Sequence, residues 1–334
     1  MLLSANHNCV VLSRLLSIFP LILLDMHNRF PVFLLTLASF PSFGQELRVK
    51  YRDLFFAHVS VEKNISYKTK LQAGTKTRYY LMDLYQPAED TSLYRPLIIW
   101  IHGGGFKFGT KKTRGTPLWS SSFAQRGYVC AAVNYRLSKK RPLARFNDLA
   151  DGCYEGIEDI QEVVSFLKKN SRLYHIDTNR IVLAGNSAGG IIALQAVYSS
   201  LAELSKLAGR TDSLTATISY NNMRIAAVIN FWGAVFDPSW LQHANIPVVS
   251  VHGSKDRVVP YDHKGPLFGS LVIHLQADLL HIPNELKTYE GWGHELQKHF
   301  NPILTGRKAK KHWLEAGQFA ADFLYRQLFT HLSQ

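Results

Sequence analysis

Ser187 lies in Gly185-Asn186-Ser187-Ala188-Gly189, with apolar Ile181-Val182-Leu183-Ala184 before it and Gly190-Ile191-Ile192-Ala193-Leu194 after it. A hydroxyl with glycine two positions away on either side reads as a sharp strand-to-helix turn, because only small residues let strand and helix approach so closely. Such a turn lifts the hydroxyl clear of a sheet. The amide of Ala188, in the first turn of the helix, then points at whatever the oxygen attacks. The chemistry on offer is nucleophilic attack on a carbonyl, and it needs a base, because a serine hydroxyl is a poor nucleophile until its proton is taken.

Fourteen histidines compete for that role. His294, in Glu290-Gly291-Trp292-Gly293-His294-Glu295, follows an expected strand over 285–289 on a loop hinged by glycines. His252 sits at a strand end before Gly253 and reads as ordering the local turn, while His263, His274, His281 and His299 lack a strand-to-loop setting. An imidazole held in one tautomer and stabilised when protonated calls for a carboxylate. Asp256, five residues beyond the expected strand 247–251, is the candidate. Asp237, after the strand 224–231, is its competitor, although the following Pro238 also suits a turn or helix cap.

Negative charge develops on the carbonyl oxygen during acyl transfer, and each fixed donor aimed at it is worth about 3 to 4 kcal/mol. Ile101-His102-Gly103-Gly104-Gly105-Phe106 supplies unshielded backbone amides directly after a short apolar run. The amides of Gly104, Gly105 and Ala188 form the expected oxyanion hole. No Gly-Lys-Ser/Thr follows this glycine run, so it does not read as a phosphate cradle. His102 precedes the serine and reads as ordering the loop. Phe106, Phe108, Trp119, Trp232 and Trp292 fall near the strand ends, where they serve either as an acyl pocket or sugar platform or as plain packing.

These residues must be carried by a sheet. Alternating polar and apolar residues over 57–67 and 78–86, with Gly74 between, suit an antiparallel hairpin at a sheet edge. The continuous apolar run 96–101 suits a strand covered on both faces. Helix 117–126, strand 128–135, helix 148–170, strand 180–185, a helix from Ser187 to about Leu207, and strands 224–231 and 247–251 follow. A helix within 270–280, strand 285–289 and a terminal helix over 311–329 complete the pattern. Strand and helix in alternation predict an α/β fold of about eight strands, mostly parallel, with helices on both faces. Chemistry in such sheets collects at the carboxyl ends of the strands, where each of these motifs falls. Segments 106–120 and 208–223 are candidate rim loops.

The chain has 334 residues, 46% hydrophobic and 19% charged, with net charge +13; that composition excludes a disordered or fibrous chain. Its basic clusters, 111–114, 139–141 and 307–311, are short, scattered and not interleaved with aromatics, so they read as solvated surface and not as a nucleic-acid module. Residues 1–44 hold no Lys, two Arg and one Asp, and read as a targeting segment. Met26 opens the better signal peptide: His27-Asn28-Arg29, an apolar stretch over 30–40, and Ser42-Phe43-Gly44 before a cleavage point at Gly44-Gln45. Asp25, Pro20, Pro31 and Pro41 interrupt any clean spanning helix, so no stable membrane insertion is expected after cleavage. The remainder, 45–334, reads as one catalytic domain, periplasmic or secreted, of undetermined oligomeric state. Cys130 and Cys153, its two cysteines, are too few for a cysteine metal site and read as buried thiols, although export would permit a disulfide.

Ser187, Asp256 and His294 in that order, behind His102-Gly103-Gly104-Gly105, resemble the α/β-hydrolase superfamily. The resemblance covers nearly the whole chain after residue 44. It looks most like the carboxylesterase branches, hormone-sensitive-lipase-like and carbohydrate-esterase-like members included. Hormone-sensitive-lipase relatives usually carry an acidic residue where Asn186 stands, and a large N-terminal helical cap where this chain has the strand-like segment 46–90. The resemblance implies ester hydrolysis through an acyl-enzyme on Ser187, with His294 as base, Asp256 as its partner, and no metal or cofactor. Short-chain esters, or acetyl and feruloyl esters of carbohydrate, are the expected substrates. A lipase and a serine peptidase of prolyl-oligopeptidase type are the alternatives; the latter usually brings an N-terminal propeller.

Overall fold

The computed structural model describes residues 48–68, 76–113, 115–210, 223–301 and 306–330. The expected leader over 1–44, the Gly74 turn and most of the expected rim loop 208–223 lie outside these residues.

Among the described residues ten strands follow in chain order: β1 (Val59–Ser66), β2 (Leu81–Pro87), β3 (Arg95–Ile101), β4 (Val129–Val133), β5 (Ile176–Asn186), β6 (Ile225–Phe231), β7 (Val248–Gly253), β8 (His263–Lys264), β9 (Leu267–Phe268) and β10 (Asn284–Tyr289). The helices are α1 (Gly115–Ala124), α2 (Phe146–Lys169), α3 (Ser171–Tyr174), α4 (Ala188–Tyr198), α5 (Leu201–Ala208), α6 (Ser270–Leu279) and α7 (Arg307–Phe329). Eight strands form one sheet in the order β1-β2-β4-β3-β5-β6-β7-β10, and β8 and β9 form a small separate ribbon. β1 pairs antiparallel with β2 and β2 antiparallel with β4. From β4 to β10 every neighbouring pair runs parallel.

The apolar run of β3 explains the layering. All seven of its residues are buried. Because side chains alternate across a strand, Leu97, Ile99 and Ile101 enter one core and Ile98 and Trp100 the other. The first core meets α2, through Ile157, Ile160, Val164 and Leu167, together with α4 and α6. The second meets α1 and α7, through Trp119, Phe123, Trp313 and Ala320. This is the mostly parallel sheet with helices on both faces expected from the strand and helix alternation, with the antiparallel hairpin at its edge.

One local expectation is corrected, and one choice the sequence left open is decided. The helix after Ser187 ends at Tyr198, and a second begins at Leu201. A capping box causes the break: the Ser200 hydroxyl accepts the Glu203 amide at 3.1 Å, and the Glu203 carboxylate accepts the Ser200 amide at 2.8 Å. Phe106, Trp119 and Trp232 are core side chains with at most 1% exposure, not a platform for substrate. Trp119 also donates its indole N–H to the carbonyl of Trp313, which ties α1 to α7. Of the five aromatics near the strand ends, Phe108 is exposed and Trp292 half-buried.

Candidate active site

Ser187 closes β5 and opens α4 with φ 54° and ψ −122°, a region that L-residues rarely adopt. Three contacts hold it there. Its amide donates to the carbonyl of Phe231 on the neighbouring strand at 2.9 Å. A Cβ on Gly185 would lie 2.2 Å from the backbone of Gly189, and one on Gly189 would lie 2.0 Å from the carbonyl oxygen of Ile101. Strand and helix therefore approach to a distance that excludes any side chain at either position, as the spacing predicted.

Asp256 follows β7 and His294 follows β10, the adjacent parallel strand. The two loops interlock. The Lys255 amide donates to the Trp292 carbonyl at 2.8 Å, and a Cβ on Gly253 would lie 2.4 Å from that same oxygen. The indole of Trp313 on α7 holds the far side of the histidine loop by donating to the Glu295 carbonyl at 2.7 Å. The result is a linear array. His294 Nε2 lies 3.0 Å from Ser187 Oγ, and His294 Nδ1 lies 2.7 Å from Asp256 Oδ2. Carboxylates only accept, so Nδ1–H donates to Asp256 and bare Nε2 receives the serine O–H. All three residues are buried.

The Asp256 carboxylate is held anionic. Burial opposes its charge, but hydrogen bonds from His252 and His294 outweigh burial and hold the group well below the usual carboxylate range. Its other oxygen, Oδ1, accepts the amides of Val258 at 2.8 Å and Val259 at 3.0 Å. Asp237 is elsewhere: it caps the short turn Pro238–His243 by accepting the Ser239 amide at 2.9 Å, and it is not part of this array.

The glycine loop sits against the serine turn. The Gly103 amide donates to Asn186 Oδ1 at 3.2 Å, and a Cβ on Gly103 would lie 3.2 Å from Ser187 Cβ. Asn186 is thus the tether between the two segments. Gly104 and Gly105 turn through φ 122° and 59°, and a Cβ on Gly104 would lie 2.2 Å from the Phe108 carbonyl oxygen. Among the described residues, the amides of Gly104, Gly105 and Ala188 donate to no protein acceptor. His102 orders the loop from beneath. It donates Nδ1–H to the Gly103 carbonyl at 2.7 Å, stacks on Tyr135 with centroids 4.4 Å apart, and burial lowers its pKa to about 4.

Three residues beside the array escaped the reading from sequence. His252 contacts Asp256 as well as its own turn, and Ser270 and Asn230 extend that contact inward. The His252-to-Asp256 interval of four was visible, but loop spacing does not fix where a ring points. Around the site, Phe108 and Leu143 are exposed at 62% and 68%, and Phe300 sets its ring edge-on to His294 at 5.0 Å. Among the described residues, no group of three or more His, Cys, Asp or Glu is placed to hold a metal ion, and no helix is long and apolar enough to cross a membrane.

A strained serine between a parallel strand and its helix, facing an imidazole and a carboxylate from later strand ends, defines the α/β-hydrolase class. A family model described as BD-FAE matches residues 82–237, which include the glycine loop and Ser187 but end before Asp256 and His294. The chain is 27% identical over 200 residues to the probable carboxylic ester hydrolase LipM of Mycobacterium tuberculosis, covering 60% of this chain and 39% of that protein. It is 29% identical over 174 residues to the arylacetamide deacetylase of Bos taurus, covering 50% of this chain and 38% of that protein. It therefore spans less than half the length of these curated relatives. Thermogutta terrifontis esterase 2, in a structure described as phosphorylated by paraoxon, superposes with a TM-score of 0.55 at 22% identity, over 84% of this chain and 98% of that one. These likenesses are to carboxylesterase-like α/β-hydrolases and support that family for the chain.

Proposed function

We propose that this protein is a serine carboxylic-ester hydrolase. The observation that carries the reading is the continuous array Ser187–His294–Asp256, with links of 3.0 and 2.7 Å, beside three amides that no acceptor among the described residues uses. His294 Nε2 takes the Ser187 proton as the oxygen attacks the ester carbonyl. The imidazolium so formed is steadied by Asp256, and the amides of Gly104, Gly105 and Ala188 receive the developing oxyanion. His294 then gives its proton to the departing alcohol, leaving an acyl-enzyme. Water that loses a proton to the same nitrogen releases the acid. The substrates are short-chain or carbohydrate-linked acetyl and feruloyl esters, and the enzyme is exported; the apolar Phe108, Leu143 and Phe300 near the array suit an acyl or aromatic group. The residues that act as one unit predict that Ser187→Ala cuts turnover about a millionfold. An ester panel of rising acyl length beside acetylated and feruloylated oligosaccharides measures it. Paraoxon, which the Thermogutta terrifontis structure describes as having phosphorylated that esterase, serves as a probe, and the mass increment should fall on the peptide holding Ser187. Unchanged hydrolysis by Ser187→Ala, or labelling elsewhere, would refute the assignment.

A further inference from the structure

We infer that His252 is a positioning residue for Asp256, the inner end of a second hydrogen-bond relay that converges on the same carboxylate as His294. The inference rests on the reading of Asp256 as the partner of the general base.

The direction of the relay follows from one backbone amide. Gly233 N–H donates to Asn230 Oδ1 at 2.9 Å, which fixes the orientation of the Asn230 side-chain amide. Asn230 Nδ2 must then donate, and it does so to Ser250 Oγ at 3.0 Å and Ser270 Oγ at 3.1 Å. Ser270, having accepted, is left with its own O–H to give. Its neighbour at 2.7 Å is His252 Nδ1. That nitrogen therefore accepts, and the ring proton resides on Nε2. The geometry at Nε2 agrees independently, since it lies 3.1 Å from the Val259 carbonyl, which can only accept. The same N–H faces Asp256 Oδ2 at 3.3 Å.

Every member of this chain is buried: Asn230, His252 and Ser270 are 0% exposed and Ser250 3%. A buried relay with each donor and acceptor used in turn has one orientation, and water does not compete for it. Asp256 Oδ2 thus receives two N–H groups, from His294 at 2.7 Å and from His252 at 3.3 Å, while Oδ1 receives two backbone amides. His252 also clamps the Val259 carbonyl, so the loop that carries Asp256 is fastened to the carboxylate it presents. A carboxylate restrained on both oxygens cannot rotate away when His294 acquires its proton. The contact helps the charged transition state more than substrate binding, so its loss should lower kcat and leave KM in place.

The test compares two amides at one position. In His252→Gln the longer side chain puts an N–H near the place of Nε2; in His252→Asn the shorter one reaches Ser270 but not Asp256. A hydrogen bond to a charged group at this length predicts kcat for His252→Asn about tenfold below His252→Gln, with KM values within about twofold of each other. Equal kcat values for the two amides would overturn the assignment. Should either variant fail to fold, nitrogen NMR of the unmodified protein decides: a proton on His252 Nε2 supports the relay, and a bare Nε2 overturns it. Ser187→Ala separates the two levels. If that variant keeps full hydrolysis, the ester-hydrolase reading falls; if it is inactive while the amides are equal, only the role of His252 falls.

Discussion

Acid should loosen this fold through His102 before it reaches the carboxylates. The ring is 1% exposed, stacked on Tyr135 and committed through Nδ1–H to the Gly103 carbonyl; burial lowers its pKa from 6.5 to about 4. In the unfolded chain it titrates near its ordinary value. Between these two values the unfolded state holds the additional proton, so stability falls as pH falls, and His102 contributes nothing to the slope above about pH 7. Integrating over that interval gives a loss of about 2 kcal/mol between pH 7 and pH 5, approaching about 3 kcal/mol by pH 4. Glu155 and Asp159, raised chiefly by burial, act in the opposite sense on acidification, so the wild-type slope alone does not isolate the histidine. Urea unfolding of wild type and His102→Asn at pH 7 and pH 5 does. The variant is less stable at both values because it loses the stacked ring, but its decline with acid should be smaller by about 2 kcal/mol. Parallel declines, within about 0.5 kcal/mol, would refute the argument that a neutral buried His102 carries the glycine loop.

Gly189→Ala would place a Cβ 2.0 Å from the Ile101 carbonyl oxygen, backbone that cannot rotate away, and should cost about 3 kcal/mol and most of the ester hydrolysis. An unchanged urea midpoint would contradict the packing described for the serine turn. The buried pair of Lys111 and Asp83 fastens the limb after the glycine loop to β2. Asp83→Ala, which strands a buried ammonium, should lose about 3 to 5 kcal/mol, whereas Asp83→Leu with Lys111→Met should return to within about 1 kcal/mol of wild type. Denaturant midpoints of the single and double variants check this, and a double variant as unstable as the single one would argue against it.

The convergence of Ser187, Asp256 and His294 was legible because each stands just past an expected strand, and in a parallel sheet those ends share one rim. Asn186, His252, Asn230 and Ser270 were harder to read. Their roles depend on contacts between segments up to 83 residues apart, as from Gly103 to Asn186, and no local pattern encodes such a pairing. The break between α4 and α5 was legible in principle, in Ser200 and Glu203, but apolar periodicity continues through it and masks the cap. The aromatics near the strand ends are a different case. Trp100, Trp119, Phe231 and Trp232 pack together, stacked or edge-on, under α1 and α7, and composition alone does not say which face of a two-sided sheet a bulky ring joins.

That two-sidedness also governs the thiols. Cys130 points into the layer under α1 and α7 and Cys153 into the layer under α2, with the full thickness of the sheet between them; both are free, and burial raises both thiol pKa values. Oxidation therefore cannot join these two thiols in the folded sheet. A bridge between these cysteines would mark a chain trapped before its strands had assembled, so oxidising conditions would be a hazard to folding and not a source of strength.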